Sequence, residues 1–387
     1  MGFDNVLQDI PVEEYRQRVA LTRAEMEKKG YEALLVYSDS WRFGNARWLS
    51  NFRPFEGITG YPAIVFLPLH GDPVLLVDAT NVDVASDETW FDDTRGIRQE
   101  LGSIIAEFTS KHPGCKIGLC GARFFALEFY EIVVSHLQAN ATLEKTDIVE
   151  QLKSVKSERE IRNMIIAGQL ADVGYETIHQ MLEEREGWTE RELARAAYAE
   201  MFARGADNSA FDIMVQSGEN ATKFFLARPR DRRVMKGDIL LIDIGIRYNY
   251  YSSDMARGVG YGPMTDEQRE LLDTCLAAWT AGVERLRPGM TAIEADKASK
   301  ELLAQTRFRH IAGASWGCAH ALGMEPEEEV PIIGPNSRDI LKENQAIAFE
   351  ITLAVPGIGG TRIEDTIILR KDGPESLTNF PRSCYWG

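Results

Sequence analysis

At 387 residues the chain is too long for one ordinary hydrophobic core, and its 44% hydrophobic and 26% charged residues are those of a globular protein rather than a disordered or fibrous one. A net charge of −16 excludes nucleic acid and anionic membrane surfaces as partners, because phosphate binding needs a basic face. No apolar run approaches the roughly 18 residues of a membrane span. Five cysteines without a CxxC pair, and an acidic start without the basic and apolar blocks of a signal peptide, predict a reduced, cytoplasmic protein.

The chain opens on a helical pattern over Val12–Lys29, ended by Gly30, and continues with strands at Ala33–Tyr37, Ala63–Leu67 and Pro73–Val77. A strand at Ile117–Cys120 and a helix near Phe125–Gln138 complete an α/β domain, residues 1–150. Between its first two strands, Arg42, Arg47 and Arg53 are interleaved with Trp41, Phe43, Trp48, Phe52 and Phe55. The simpler expectation is an amphipathic helix with its aromatics in the core; the alternative is a lid that presents a guanidinium to a carboxylate substrate. A composition shift at Gln151–Glu158 starts a second domain, residues 151–387. There a long helix runs to about Glu184, and a TERE capping box at Thr189 and Glu192 opens a helix to Ala203. A strand over Asp212–Gln216 and an arginine-rich loop follow, and further helices span Thr265–Leu286 and Ala292–Gln305.

The second domain carries the chemistry. Ile239–Ile244 reads as a buried strand with Asp243 inside it; the chain turns through Arg247 and Asn249 and returns through Asp254, eleven residues on. A lone buried carboxylate there is costly, so it neutralises, pairs with a cation such as Arg257, or coordinates a metal ion. His320, Glu350 and Glu364 follow, each glutamate interrupting an apolar β-type run as Asp243 does. Four inward acids and a histidine are hard to satisfy except around cations. Such a set can hold two divalent ions, and its oxygen-rich ligation ranks Mn²⁺ first, with Fe²⁺, Co²⁺ and Zn²⁺ behind it.

These residues in this order, with MKGDILLIDIG, SSDMARG, RPGM and RIEDT around them, resemble the pita-bread superfamily, peptidase family M24. NARWLSNF in the first domain resembles the creatinase, prolidase and aminopeptidase P branch. The resemblance implies an α/β amino-terminal domain followed by an α+β catalytic domain with a curved antiparallel sheet, a homodimer, and metal ligation by Asp243, Asp254, His320, Glu350 and Glu364. Peptidases of that branch carry a histidine near the position of Phe225 and another seven residues beyond the metal histidine, where this chain has Glu327 followed by Glu328. Phe225 cannot donate and an ionised glutamate only accepts.

The expected reaction is therefore metal-dependent hydrolysis of a C–N bond in a small polar, carboxylate-bearing molecule, as in creatinase or ectoine hydrolase, with a water of lowered pKa as nucleophile. Glu350 is the expected proton relay, with Glu327 the second catalytic candidate. Arg228 and then Arg53 are the candidates for the substrate carboxylate, and Phe225, at the position of the missing histidine, is the other substrate-binding candidate. The alternatives are an Xaa-Pro dipeptidase or aminopeptidase, a metal-dependent lyase of the dimethylsulfoniopropionate-lyase type, and a non-catalytic scaffold. The intact set of five ligands argues against the last.

Overall fold

The computed structural model describes residues 10–55, 60–223, 228–311 and 318–387. The chain divides into two compact units, Met1–Lys153 and Ser154–Gly387.

The first unit begins with α1 (Val12–Lys29), which stops where Gly30 takes a φ of 74° and the N–H groups of Gly30 and Tyr31 close on the last turn. Then come β1 (Ala33–Asp39), α2 (Gly44–Ser50), β2 (Pro62–Pro68), β3 (Val74–Val77), α3 (Val82–Glu88), β4 (Thr94–Gly96), α4 (Ile97–Lys111), β5 (Lys116–Cys120), α5 (Leu127–His136), β6 (Thr142–Lys145) and α6 (Ile148–Lys153). The strands form a six-stranded mixed sheet in the order β4-β3-β2-β1-β5-β6. Only the middle of the interleaved segment is helical, as α2; along the segment Phe43, Trp48 and Phe52 are buried and Trp41 and Phe55 exposed. Its arginines are engaged locally: Arg47 Nη1 donates to the Asn51 carbonyl, Arg42 pairs with Asp39, and the Arg53 guanidinium lies 4.7 Å from the centroid of the Phe43 ring.

The second unit opens with α7 (Glu158–Glu184) and α8 (Glu190–Ala203), both started by capping boxes, Ser157 with Glu160 and Thr189 with Glu192. Strands β7 (Asn208–Ser209) and β8 (Met214–Ser217) lead into a 3₁₀ turn, Gly218–Thr222. Next are β9 (Ile239–Ile244), β10 (Ile246–Tyr248), β11 (Tyr251–Ser252), β12 (Met255–Tyr261), α9 (Asp266–Val283), α10 (Ala292–Ala304), β13 (Ala319–Ala321), β14 (Glu328–Ile333), β15 (Ala346–Val355), β16 (Gly359–Arg370), β17 (Gly373–Ser376) and β18 (Cys384–Trp386). A sheet with the path β14-β13-β15-β16-β12-β9-β8 runs through this unit, its neighbours along that path antiparallel, with β17 and β18 at its margins.

The hairpin expected around Asp243 and Asp254 is present but divided at Gly245. Strands β9 and β12 pair in the large sheet, while β10 and β11 form the tip and join β7 in a second, three-stranded sheet. Asn249 and Tyr250 make the tight turn with φ of 46° and 65°, the left-handed pair that such a two-residue turn needs.

Pairing register decides which side chains meet. Ala256 on β12 lies opposite both Asp243 on β9 and Glu364 on β16; Glu350 on β15 lies opposite Glu364; His320 on β13 lies opposite Ala348. Directly opposed residues share a face and alternate residues return to it. Asp243, Asp254, His320, Glu350 and Glu364 therefore stand on one face of the sheet. Odd-numbered residues of β15 and β16, Phe349, Ile351, Leu353, Ile363 and Ile367, pack with Leu271, Cys275 and Trp279 of α9, and Leu240, Ile242 and Ile244 pack with α7 and α8. One face is thus a helix-covered core and the other is left for polar groups.

Candidate metal centre

Each of the five side chains is held at a strand residue or strand end, so its position follows from backbone pairing. Asp254 gains a further tie: its N–H donates to Thr366 Oγ1 at 2.8 Å, and the Thr366 hydroxyl donates to the Asp254 carbonyl at 2.9 Å. His320 Nδ1 lies 3.2 Å from the Ala321 carbonyl, an acceptor, so this nitrogen carries the proton and Nε2 faces the carboxylates. Nε2 is 3.5 Å from Glu364 Oε1 and 3.7 Å from Asp254 Oδ2. One ligand atom from each of Asp254, His320 and Glu364 lies within 4.8 Å of the others, an arrangement able to hold a metal ion.

Asp243 and Glu350 stand beside this triad, facing Arg362. Its Nη1 donates to Asp243 Oδ2 at 2.6 Å, its Nε donates to Thr352 Oγ1 at 2.7 Å and lies 3.2 Å from Glu350 Oε2, and Nη1 is 3.9 Å from Glu364 Oε2. Sequence reasoning named Arg257 as the cation for a buried acid and passed over Arg362. Arg257 lies on the opposite, helix-covered face, where its Nη2 is 2.7 Å from Asp365 and both side chains are fully buried. A usable signal was present: Arg362 precedes Glu364 by two residues, so within one strand it shares that glutamate's face.

Charge in the cluster is unbalanced. Burial pushes the Asp243 carboxyl up to about 8, with Arg362 opposing and Glu364 and Glu350 adding to the rise. Asp254 is driven well above the carboxylate range by burial and by Glu364, Asp243 and Glu350. Burial alone would lower His320, but the Glu364 hydrogen bond and the charges of Glu364, Glu350 and Glu327 carry it up to about 9. Arg362 is held protonated, since Glu350, Asp243 and Glu364 outweigh its burial. The Oδ1 atoms of both Asp243 and Asp254 are buried with no hydrogen-bond partner. Four carboxylates against one guanidinium, with two open buried oxygens and an imidazole nitrogen among them, fit divalent cations.

The remaining candidates stand elsewhere. Glu327 is exposed, next to β14. Arg228 is exposed and pairs with Asp212 at 2.7 Å, while Arg53 belongs to the first unit. Phe225 lies outside the described residues. The ends of its loop are pinned by buried Glu190, which accepts from Ser217 N–H and Oγ, Asn220 Nδ2 and Arg230 N–H. Before that loop, the 3₁₀ turn packs on β16, with the Ala221 carbonyl against Gly360, where no Cβ would fit. Cys115, Cys120, Cys275 and Cys318 are free and buried, and no described helix is long and apolar enough to cross a membrane.

Residues 162–371 match the profile of metallopeptidase family M24, and residues 18–155 that of the creatinase/prolidase N-terminal domain. The chain is 33% identical over 364 residues to an Xaa-Pro dipeptidase of Pyrococcus horikoshii, covering 92% of this chain and 95% of that protein. An Xaa-Pro dipeptidase of Lactobacillus helveticus is 28% identical over 323 residues, 80% of this chain and 83% of that one. The fold superposes on the crystal structure of the prolidase from Pyrococcus horikoshii OT3 with a TM-score of 0.80 and 25% identity, covering 95% of this chain and 99% of that one.

Proposed function

Since the chain belongs to metallopeptidase family M24, and is a metal-dependent hydrolase acting on C–N bonds, we propose that it acts as an Xaa-Pro dipeptidase on short peptides. One observation carries this: the likeness to such a dipeptidase spans 92% of this chain and 95% of that relative, so that it includes both units rather than the metal centre alone. The creatinase-like substrate expected from Phe225 and Glu327 gives way to the dipeptidase alternative, because the two relatives named above, matched over 92% and 80% of this chain, are Xaa-Pro dipeptidases.

In this reading Asp243, Asp254, His320, Glu350 and Glu364 hold two divalent ions, Mn²⁺ first in rank. Bound there, such ions supply an acidified water and polarise the scissile carbonyl. The shared sheet face and the two unpartnered buried oxygens support the ligand assignment. Glu350, on the solvent-reached side, takes the proton from the attacking water and passes it to the leaving nitrogen. Arg362 orients Glu350 and Asp243 through its hydrogen bonds and charge. Arg228 stays the first candidate for the peptide carboxylate, since an exposed pair such as that with Asp212 exchanges readily for a ligand; Arg53 is the second. A homodimer belongs to the same reading, and light scattering on the purified protein tests it.

Protein loaded separately with Mn²⁺, Fe²⁺, Co²⁺ and Zn²⁺ is to be assayed on Gly-Pro and Ala-Pro beside creatine, an ectoine-like cyclic amidine and dimethylsulfoniopropionate. The expected result is cleavage of an Xaa-Pro dipeptide with kcat/KM above about 10⁴ M⁻¹s⁻¹, the lower end of the usual enzyme range. Turnover of one of the other compounds with inert dipeptides would return the creatinase-like or lyase reading.

A further inference from the structure

The strand that carries His320 is short. β13 spans three residues, Ala319–Ala321, so its placement depends on what holds its ends. At its start stands Cys318, whose backbone is tied on both sides: its carbonyl accepts from the Glu350 N–H at 2.8 Å, and its own N–H donates to Asp296 Oδ1 at 2.8 Å. The chain two positions before His320 is thus bonded to the backbone of Glu350, and its anchor is a carboxylate from outside the sheet.

Asp296 lies on α10 with its side chain 3% exposed, an expensive place for a charge. Its other oxygen, Oδ2, meets Lys300 Nζ at 2.5 Å, one helical turn on, and the Lys300 side chain keeps 23% exposure. The helix is itself fixed. Ser299 Oγ donates to the Ala278 carbonyl of α9 at 2.8 Å, and α9 holds β15 through Trp279 Nε1 on the Phe349 carbonyl at 2.9 Å and Cys275 Sγ on the Ile351 carbonyl at 3.1 Å. Those two carbonyls belong to the residues on either side of Glu350. The same pair of helices therefore grips the strand of Glu350 from behind and, through Asp296, the start of the strand of His320. A hydrogen bond from a backbone N–H to a carboxylate is roughly twice as strong as a neutral one, so this brace resists displacement.

We propose that Asp296 is a positioning residue of the metal centre: through the Cys318 backbone it sets His320 against Glu350, and the affinity of the site for its ions depends on it. This rests on the metal-centre reading above. The test is Co²⁺ binding to wild type, Asp296→Ala, Asp296→Asn and Ser299→Ala, measured by competition with a chromophoric chelator and by the visible absorption of the bound ion, which reports ligand geometry. Asp296→Ala is expected to bind Co²⁺ about 10–100-fold more weakly, the range for losing a group that orients a ligand, and with an altered spectrum. Asp296→Asn keeps an oxygen for the Cys318 N–H and gives up only the Lys300 pair, so it stays near wild type in both. Ser299→Ala removes a buried hydrogen bond of the same helix; it melts lower than wild type but binds Co²⁺ as wild type does. Wild-type affinity and spectrum in Asp296→Ala overturn the proposal and leave the peptidase reading standing. An equal loss in Ser299→Ala overturns it too, as general loosening of the helix, and so does an Asp296→Asn as weak as Asp296→Ala, since the acceptor would then not be what matters. Should Asp296→Ala not fold, Asp296→Glu decides: its acceptor is displaced by one methylene, so a weakened and spectrally altered site is expected, and a wild-type site overturns the proposal. If wild type binds no Co²⁺, the proposal and the metal-centre reading fall together.

Discussion

At the scale of single residues the site is a contest between burial and charge. Asp254 and Glu364 are nearly sealed from water and repel each other, so removing either one relieves the metal-free protein while, in the proposed assignment, taking a ligand from the ions. Asp254→Ala and Glu364→Ala are therefore expected to lose bound metal and activity yet keep the circular dichroism of the wild type at neutral pH. Full turnover with full metal occupancy in either variant would mean that the residue is no ligand. Arg362 behaves oppositely, because among the described residues it is the cation that touches both Asp243 and Glu350. Arg362→Met leaves those acids without their partner and should cost the metal-free protein about 3–5 kcal/mol in urea unfolding, the range for breaking a buried pair from one side. A loss well under 1 kcal/mol would show that the guanidinium is not the counter-charge that the geometry makes it. Of the four acids and the imidazole, Asp243, Glu350 and Glu364 were legible because each interrupts an apolar run, and Asp254 and His320 by their order beside them. Arg362 was harder to see, since an arginine in a strand ordinarily reads as a solvent-facing residue.

Among elements, what could be read from the sequence was whatever local chemistry decides. The span of α1, its stop at Gly30 and the capping boxes of α7 and α8 follow from residues within a few positions of each other. The division of the hairpin at Gly245 was not legible, because it depends on a distant strand, β7, which claims the tip. Nor was the seat of the 3₁₀ turn on β16, which is set by a glycine 139 positions after Ala221. That contact gives a prediction at its own scale. A methyl group at position 360 lands on the Ala221 carbonyl, a backbone atom that cannot rotate aside, so Gly360→Ala must lift the turn from the sheet. The expected cost is about 1–3 kcal/mol, the usual penalty of overpacking. A rise in KM should accompany it, because the turn precedes Arg228, the first candidate for the peptide carboxylate. Wild-type stability and kinetics in this variant would show that the turn is free to move.

For the whole molecule, the proposed centre would couple stability to pH and to metal. In the metal-free protein Asp243 keeps its proton up to about 8 and His320 up to about 9, whereas their ordinary values are 3.8 and 6.5. Across those intervals the folded state binds more protons than the unfolded one, so this contribution to stability is present at low pH and is lost as pH rises through the folded-state values. Divalent ions compete with the same protons and bind more tightly as those leave, and a ligand that prefers the folded state raises its stability by mass action. The two effects run in opposite directions. Protein treated with chelator is expected to show a melting temperature that declines between about pH 6 and 9, while Mn²⁺-loaded protein holds or gains, so that the gap between them widens with pH. Parallel melting curves across that interval, or a metal-free protein that grows more stable toward pH 9, would place the controlling groups outside this cluster. With Asp254→Ala as a control the assignment sharpens further. That variant lacks one of the repelling acids, so its metal-free decline should be shallower than that of the wild type and its gain from Mn²⁺ small at every pH.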